Sequence, residues 1–201
     1  MGLFSRKKIT SRFSDEHEIL ISEALNLQEQ LLANEDFYTH LLELSKTGSI
    51  DWNENQLKQD IEDYTENLPN PMTWFVEQLK VHGGYKRQEI MNFVPKGFGR
   101  LMYSKTTAIS AAGKKLQLNS KKLNRSKFSV ANTLIHERVH WLGHKHINGQ
   151  SRPDNCCDAA YMIGDLAGSF LNQFYGGDEA NSAKTICGDL KSYLEVNDLP
   201  T

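Results

Sequence analysis

The chain has only three cysteines in 201 residues, almost no net charge, and no long apolar run. Three is an odd number, and Cys156 and Cys157 are neighbours in sequence, which is poor geometry for a bridge between them. A chain of this length buries a core without covalent staples. Buried thiols and a reducing compartment are therefore the expectation. No apolar stretch approaches the roughly 18 to 20 residues that span a bilayer, so a transmembrane helix is excluded. The opening segment MGLFSRKKITSRF lacks the apolar centre of a secretory signal, and Arg6 stands where a myristoylation signal needs Ser or Thr. The expected location is cytoplasmic, or outside the cell by a route that needs no conventional signal. Internal repeats and low-complexity stretches are absent too.

The small net charge of -2 conceals strong segregation. Residues 1–13 sum to +4, residues 14–80 to -12, residues 81–128 to +10 and residues 129–201 to -4. Asymmetry of this size points to segments with different tasks, or to segments that meet each other.

From Ser14 to Gly83 apolar residues recur at helical spacing: Ile19, Leu20, Leu27 and Leu31, then Phe37, Leu41 and Leu44, then Leu57, Ile61 and Tyr64. Gly48 reads as the end of the second helix, Asn70-Pro71 as the cap and first turn of the fourth, and Gly83-Gly84 as its close. Beyond residue 84 the texture changes to short β-rich runs at Glu89 to Val94, Arg100 to Thr106 and Lys115 to Asn119. Helical patterns return from about Ser129 to Leu142, from Asp154 to Tyr175 and from Asp178 to Val196. The fold class expected is α+β. Its parts are a basic tail (1–13), an acidic helical lobe (14–84), and a small mixed sheet with the later helices (85–201).

The informative segment is TLIHERVHWLGHKH, residues 133–146. Within it His136, Glu137 and His140 form HExxH. Four residues turn a helix by about 400°, so the two imidazoles leave one face about a turn apart and can reach one metal ion. Glu137 lies about 100° round from His136, within reach of a metal-bound water. A catalytic zinc needs a third protein ligand and one open position. Gly143 can break the helix after His140, and His146 then returns a third imidazole, completing HExxHxxGxxH. By composition alone HExxH would arise in roughly one or two of a hundred shuffled chains, and the longer string in roughly one of tens of thousands.

This string resembles the metzincin clan of zinc metallopeptidases. The specific likeness covers residues 136–146; a looser one extends upstream through KKLQLNSKKL and SVANTLIHE, which look like strand, loop and active-site helix. The resemblance implies a metzincin-like core in residues 85–201, with a sheet edge that aligns an extended peptide. It also implies Zn2+ on His136, His140 and His146, with Glu137 as general base. A methionine turn belongs to that pattern, but Met162 falls in a helical segment and reads as core. Tyr161 is the candidate for steadying an oxyanion, against a plainer reading as a buried structural tyrosine.

Two other residues compete for the third ligand position. His144 directly follows the breaking glycine and should project away from the metal. Asp158, in DAAYMIG, is similar to the aspartate ligand of the aspzincin peptidases, or else acts behind the ligands by fixing a histidine tautomer. The basic stretch from Lys86 to Lys127 carries no DNA- or RNA-binding motif, so nucleic acid is an unlikely partner and contact with the acidic helices is more economical. The partner expected is a peptide or protein substrate. The competing reading, from a different class, is a non-catalytic or vestigial zinc site in a protein-binding module.

Overall fold

Two caps and a first-turn proline set the first half of the molecule. Ser14 accepts from the N–H of His17 and opens α1 (Asp15–Leu32), whose first turn carries Asp15, Glu16 and Glu18 where the helix dipole favours negative charge. Asn34 caps α2 (Glu35–Lys46) by accepting from Asp36 N–H. Pro71, with no N–H to strand, begins α3 (Pro71–His82). The computed structural model describes residues 9–10, 12–47, 50–52, 71–94, 107–148, 155–177 and 186–201. The helix expected around Leu57, Ile61 and Tyr64, the stop at Gly48, the cap at Asn70, the strand at Arg100 to Thr106 and most of the basic tail lie outside them.

The architecture is mixed α/β, with six helices and a small sheet among the described residues. The strands are β1 (Ile9–Thr10), β2 (Ile90–Phe93), β3 (Ala108–Ile109) and β4 (Leu116–Asn119), in the order β1-β2-β4-β3. The central pair is parallel, with Ile90 opposite Leu116 and Phe93 opposite Asn119, and the two short outer strands run antiparallel to it. Ile90, Phe93, Leu116 and Leu118 are buried, as a sheet covered by helices requires.

Ser126 caps α4 (Lys127–Trp141), the helix that carries the HExxH string. Its end is a Schellman motif: the N–H of Gly143 reaches the carbonyl of His140 and that of His144 reaches Val139. Gly143 has φ +108°, a conformation that a side chain would strain. Asp158 caps α5 (Ala159–Tyr175), which stops at Gly176 with φ +78°. The last helix, α6 (Gly188–Val196), begins later than the pattern from Asp178 suggested, since Ile186 and Cys187 are not helical. Helix α5 likewise starts at Ala159 rather than Asp154.

Helix α4 is packed between α5 on one side and α1 on the other. A single apolar cluster runs from Phe13 through Ile21, Leu31, Phe37, Leu134 and Phe170 to Leu199. The acidic and basic segments meet at two ion pairs, Glu18 with Arg87 and Glu23 with Lys127. Both are partly exposed and contribute little to stability beside the apolar burial.

The cysteine expectation is corrected in part. Cys157 is bonded to Cys187, joining the turn before α5 to the residue that precedes α6, while Cys156 keeps a free thiol. Adjacent cysteines are indeed not bridged to each other. The pairing crosses 30 residues, and only chain folding brings those two sulfurs together. The inference of a reducing compartment thereby loses its premise.

Candidate metal centre

Helix α4 presents His136 and His140 from one face, with ring centroids 4.9 Å apart. Both are half-buried, although Leu134, Ile135, Glu137, Arg138 and Val139 around them are buried. The Schellman turn at Gly143 reverses the chain, and His146 comes back to face them. Its ring centroid lies 4.4 Å from that of His140 and 5.4 Å from that of His136. One ligand nitrogen from each of the three residues falls within 4.8 Å of the others, so the triad could hold a metal ion.

Two of the three imidazoles are held from behind by an acceptor, and the backbone at Ala160 favours the charged form of the third, His136, without overcoming its burial. His140 Nδ1 lies 2.7 Å from the carbonyl oxygen of His144, and His146 Nδ1 lies 3.2 Å from Asp158 Oδ1. A carbonyl or an ionised carboxylate can only accept, so the proton of each ring belongs on Nδ1 in His140 and His146. Their Nε2 atoms then carry lone pairs, and these stand 3.2 Å apart with no proton between them. Two lone pairs at that distance repel unless a cation sits beside both. Nitrogens on a tetrahedral ion at about 2.0–2.1 Å would lie about 3.3 Å apart, which the His140–His146 spacing matches.

Charge and burial agree with this. Burial holds His140 down at about 4, helped by the neighbouring imidazoles, and holds His136 well below its usual range. Both are neutral at pH 7, as ligands must be. Burial would push Asp158 up, but hydrogen bonds from His144 and His146 keep it below the usual carboxylate range.

Glu137 is buried, and its Oε2 has no partner among the described residues. Burial pushes it up to about 8, against the backbone N–H of Ser110 and the charge of Arg125, which pull it down. A cation in the triad would lower it further. Tyr85 steadies the same region: its hydroxyl donates to the backbone carbonyl of Glu137 at 3.0 Å and lies 2.7 Å from Ser110 Oγ. The backbone of Tyr85 is in turn held at both N–H and C=O by the buried amide of Gln28 on α1. The N-terminal helix thus supports the motif helix through two successive side chains.

Tyr161 reaches the triad as the sequence suggested. Its ring lies 4.6 Å from that of His136 and is stacked on His146 at 4.9 Å. It is the one residue from Asp158 to Leu171 that is not fully buried, so the site opens to solvent beside it. Met162 is fully buried, as expected of core. Neither His144 nor Asp158 is grouped with the three nitrogens: the His144 ring is stacked 6.4 Å from that of His140 with its Nε2 on Asp158, and Asp158 stands behind His146. Comparison with protein-family models, curated proteins and solved structures finds no match to this chain.

Sequence reasoning did not find Ser110, Tyr85 or Gly164. The first two act through contacts far apart in sequence and left no local signal. Gly164 was visible as a glycine inside a helical pattern, which often marks a close approach. On α5 a Cβ at this position would meet Asn132 Oδ1 at 3.2 Å and His136 Cβ at 3.3 Å. We expect Gly164→Val to destabilise the protein by about 1–3 kcal/mol through overpacking and to weaken metal binding by displacing His136. Denaturant melts and a metal titration check it; unchanged affinity would show that His136 tolerates the push.

Proposed function

We propose that this chain is a zinc-dependent metallopeptidase of the metzincin type. The observation that carries the reading is the three-histidine cradle, with two bare lone pairs 3.2 Å apart, beside a buried carboxylate with an unpartnered oxygen on the helix that supplies two of the three histidines. Three imidazoles with no carboxylate among them suit zinc, and three protein ligands leave a position for water or substrate. His136, His140 and His146 would hold the zinc, which would supply Lewis acidity to polarise a peptide carbonyl and to lower the pKa of water from about 15.7 to about 7.

The chain's own residues do the rest. Glu137 takes the proton of the attacking water and passes it to the leaving amine nitrogen. Its unpartnered Oε2 is the atom free to do so. Tyr161, stacked on His146, offers a phenolic O–H to the carbonyl oxygen as negative charge gathers there. The metzincin likeness does not extend to a methionine turn, since Met162 lies inside α5. No helix among the described residues is long and apolar enough to cross a membrane, and the substrate proposed is a peptide or an exposed protein segment.

The test is a peptide-library digestion with metal analysis of the purified protein. Cleavage should stop on chelation and return with Zn2+. Zinc held firmly with no cleavage of any peptide would move the reading to the non-catalytic binding module.

A further inference from the structure

After Gly143 the chain leaves the helix with His144 buried, Lys145 exposed and His146 half-buried, and both histidines reach Asp158. His146 Nδ1 is 3.2 Å from Oδ1 and His144 Nε2 is 3.1 Å from Oδ2. The side chains of His144 and Asp158 are each 1% exposed, so this bridge is out of water. Asp158 Oδ1 also accepts the N–H of Ala160 at 2.9 Å, which ties the carboxylate to the start of α5.

The backbone of His144 has a second task, because its carbonyl takes the Nδ1 proton of His140. One residue thus bears on two of the three histidines, on His140 directly and on His146 through Asp158. Its ring is packed edge-on to Trp52, at 5.6 Å between centroids. Its Nδ1 is buried with no partner among the described residues. The tautomer with the proton on Nε2 leaves only a lone pair bare, and it lets Nε2 donate to Asp158.

We propose that His144 is a positioning residue for the metal centre: its side chain fixes Asp158, Asp158 fixes the tautomer and direction of His146, and its main-chain carbonyl independently fixes His140. This rests on the zinc reading above. A ligand held only by its Cα–Cβ rotation samples both tautomers and several directions, so each outer hydrogen bond raises the fraction of rings that face the ion.

The two halves of the clamp can be separated, since a side-chain substitution at 144 leaves the carbonyl in place. In metal-free protein, nitrogen NMR should report Nδ1–H in both His140 and His146 of the parent. In His144→Phe, His146 should lose its single tautomer while His140 keeps it. Loss in both rings, or in neither, overturns the proposal. This readout needs neither metal nor activity, so it stands even if the parent proves to hold no zinc, a result that would sink only the zinc reading.

Zinc affinity by competition with a chromophoric chelator is the second arm. His144→Phe and Asp158→Asn should each weaken binding roughly 10- to 100-fold, the range for outer-shell partners. His144→Gln, which retains an N–H donor, should recover most of the loss. Equal losses for His144→Phe and His144→Gln would assign the effect to packing and overturn the clamp. Should His144→Phe not fold, Asp158→Ser serves both arms: its hydroxyl oxygen still caps α5, yet the shorter side chain reaches neither imidazole, so His146 should lose its single tautomer while His140 keeps it.

Discussion

Glu137→Gln is expected to lower peptide turnover by about a hundredfold to ten-thousandfold, the range for loss of a positioned general base. Metal content should stay at the parent level. The amide is isosteric with the acid, so the buried space is filled as before. It keeps one oxygen beside the backbone of Ser110, which now pulls the carboxyl down against its burial. What it loses is any ability to take a proton. A neutral side chain also relieves the burial that pushes Glu137 up to about 8, so the variant should melt no lower than the parent. Turnover per bound zinc, measured alongside thermal melting, separates chemistry from folding. Equal activity in variant and parent would remove Glu137 from the mechanism and leave the triad as a metal site without its base.

Replacing the Cys157–Cys187 pair by two serines should cost about 3–4 kcal/mol of stability, from the chain entropy released when a loop of roughly 30 residues is opened. That is a large part of the roughly 5–15 kcal/mol that a domain of this kind possesses. Both sulfurs must be removed together. Cys156 Sγ lies 3.8 Å from Cys157 Sγ, so a single substitution at Cys187 would leave two neighbouring thiols that can react further. Denaturant unfolding with and without reductant measures the loss. An unchanged midpoint in the double variant would show that the bridge adds nothing to a core already formed. The cysteine that matters is next to Asp158, so a loosened turn there should also be felt at His146.

These two cases show what a linear reading can and cannot see. His136, Glu137 and His140 were legible because their geometry is local: a helix alone brings residues four apart onto one face. His146 was legible for a related reason, since Gly143 announces the break that returns the chain. Ser14 likewise acts on a backbone group within one turn of itself, whereas the helix expected from about Ser129 is opened earlier by Ser126. The central strands near Glu89 to Val94 and Lys115 to Asn119 were found from composition and alternation, although nothing local told that they pair in parallel.

The role of Asp158 was left divided between ligand and supporting residue. Deciding it required knowing that α5 starts one residue later, which points the carboxylate at the backs of two imidazoles. The partner of Cys157 required the same kind of knowledge. Charge segregation suggested that the acidic and basic segments meet, and among the described residues two ion pairs join them, but the larger contact of α1 is apolar. Helix α1 lies on the motif helix through a shared core, and its Gln28 holds Tyr85, which holds Glu137.

By itself, then, the sequence determined the HExxH pair, the helix that displays it and the turn that returns His146, because these depend on spacings within about a dozen residues. Only the tertiary structure decided which groups stand behind the donors, which cysteines join, and how the N-terminal helices support the site. Those outcomes depend on contacts between residues tens of positions apart, such as Gln28 with Tyr85 and Cys157 with Cys187. No periodicity encodes such contacts, because the chain entropy of closing each loop is met by the core as a whole and by no local motif.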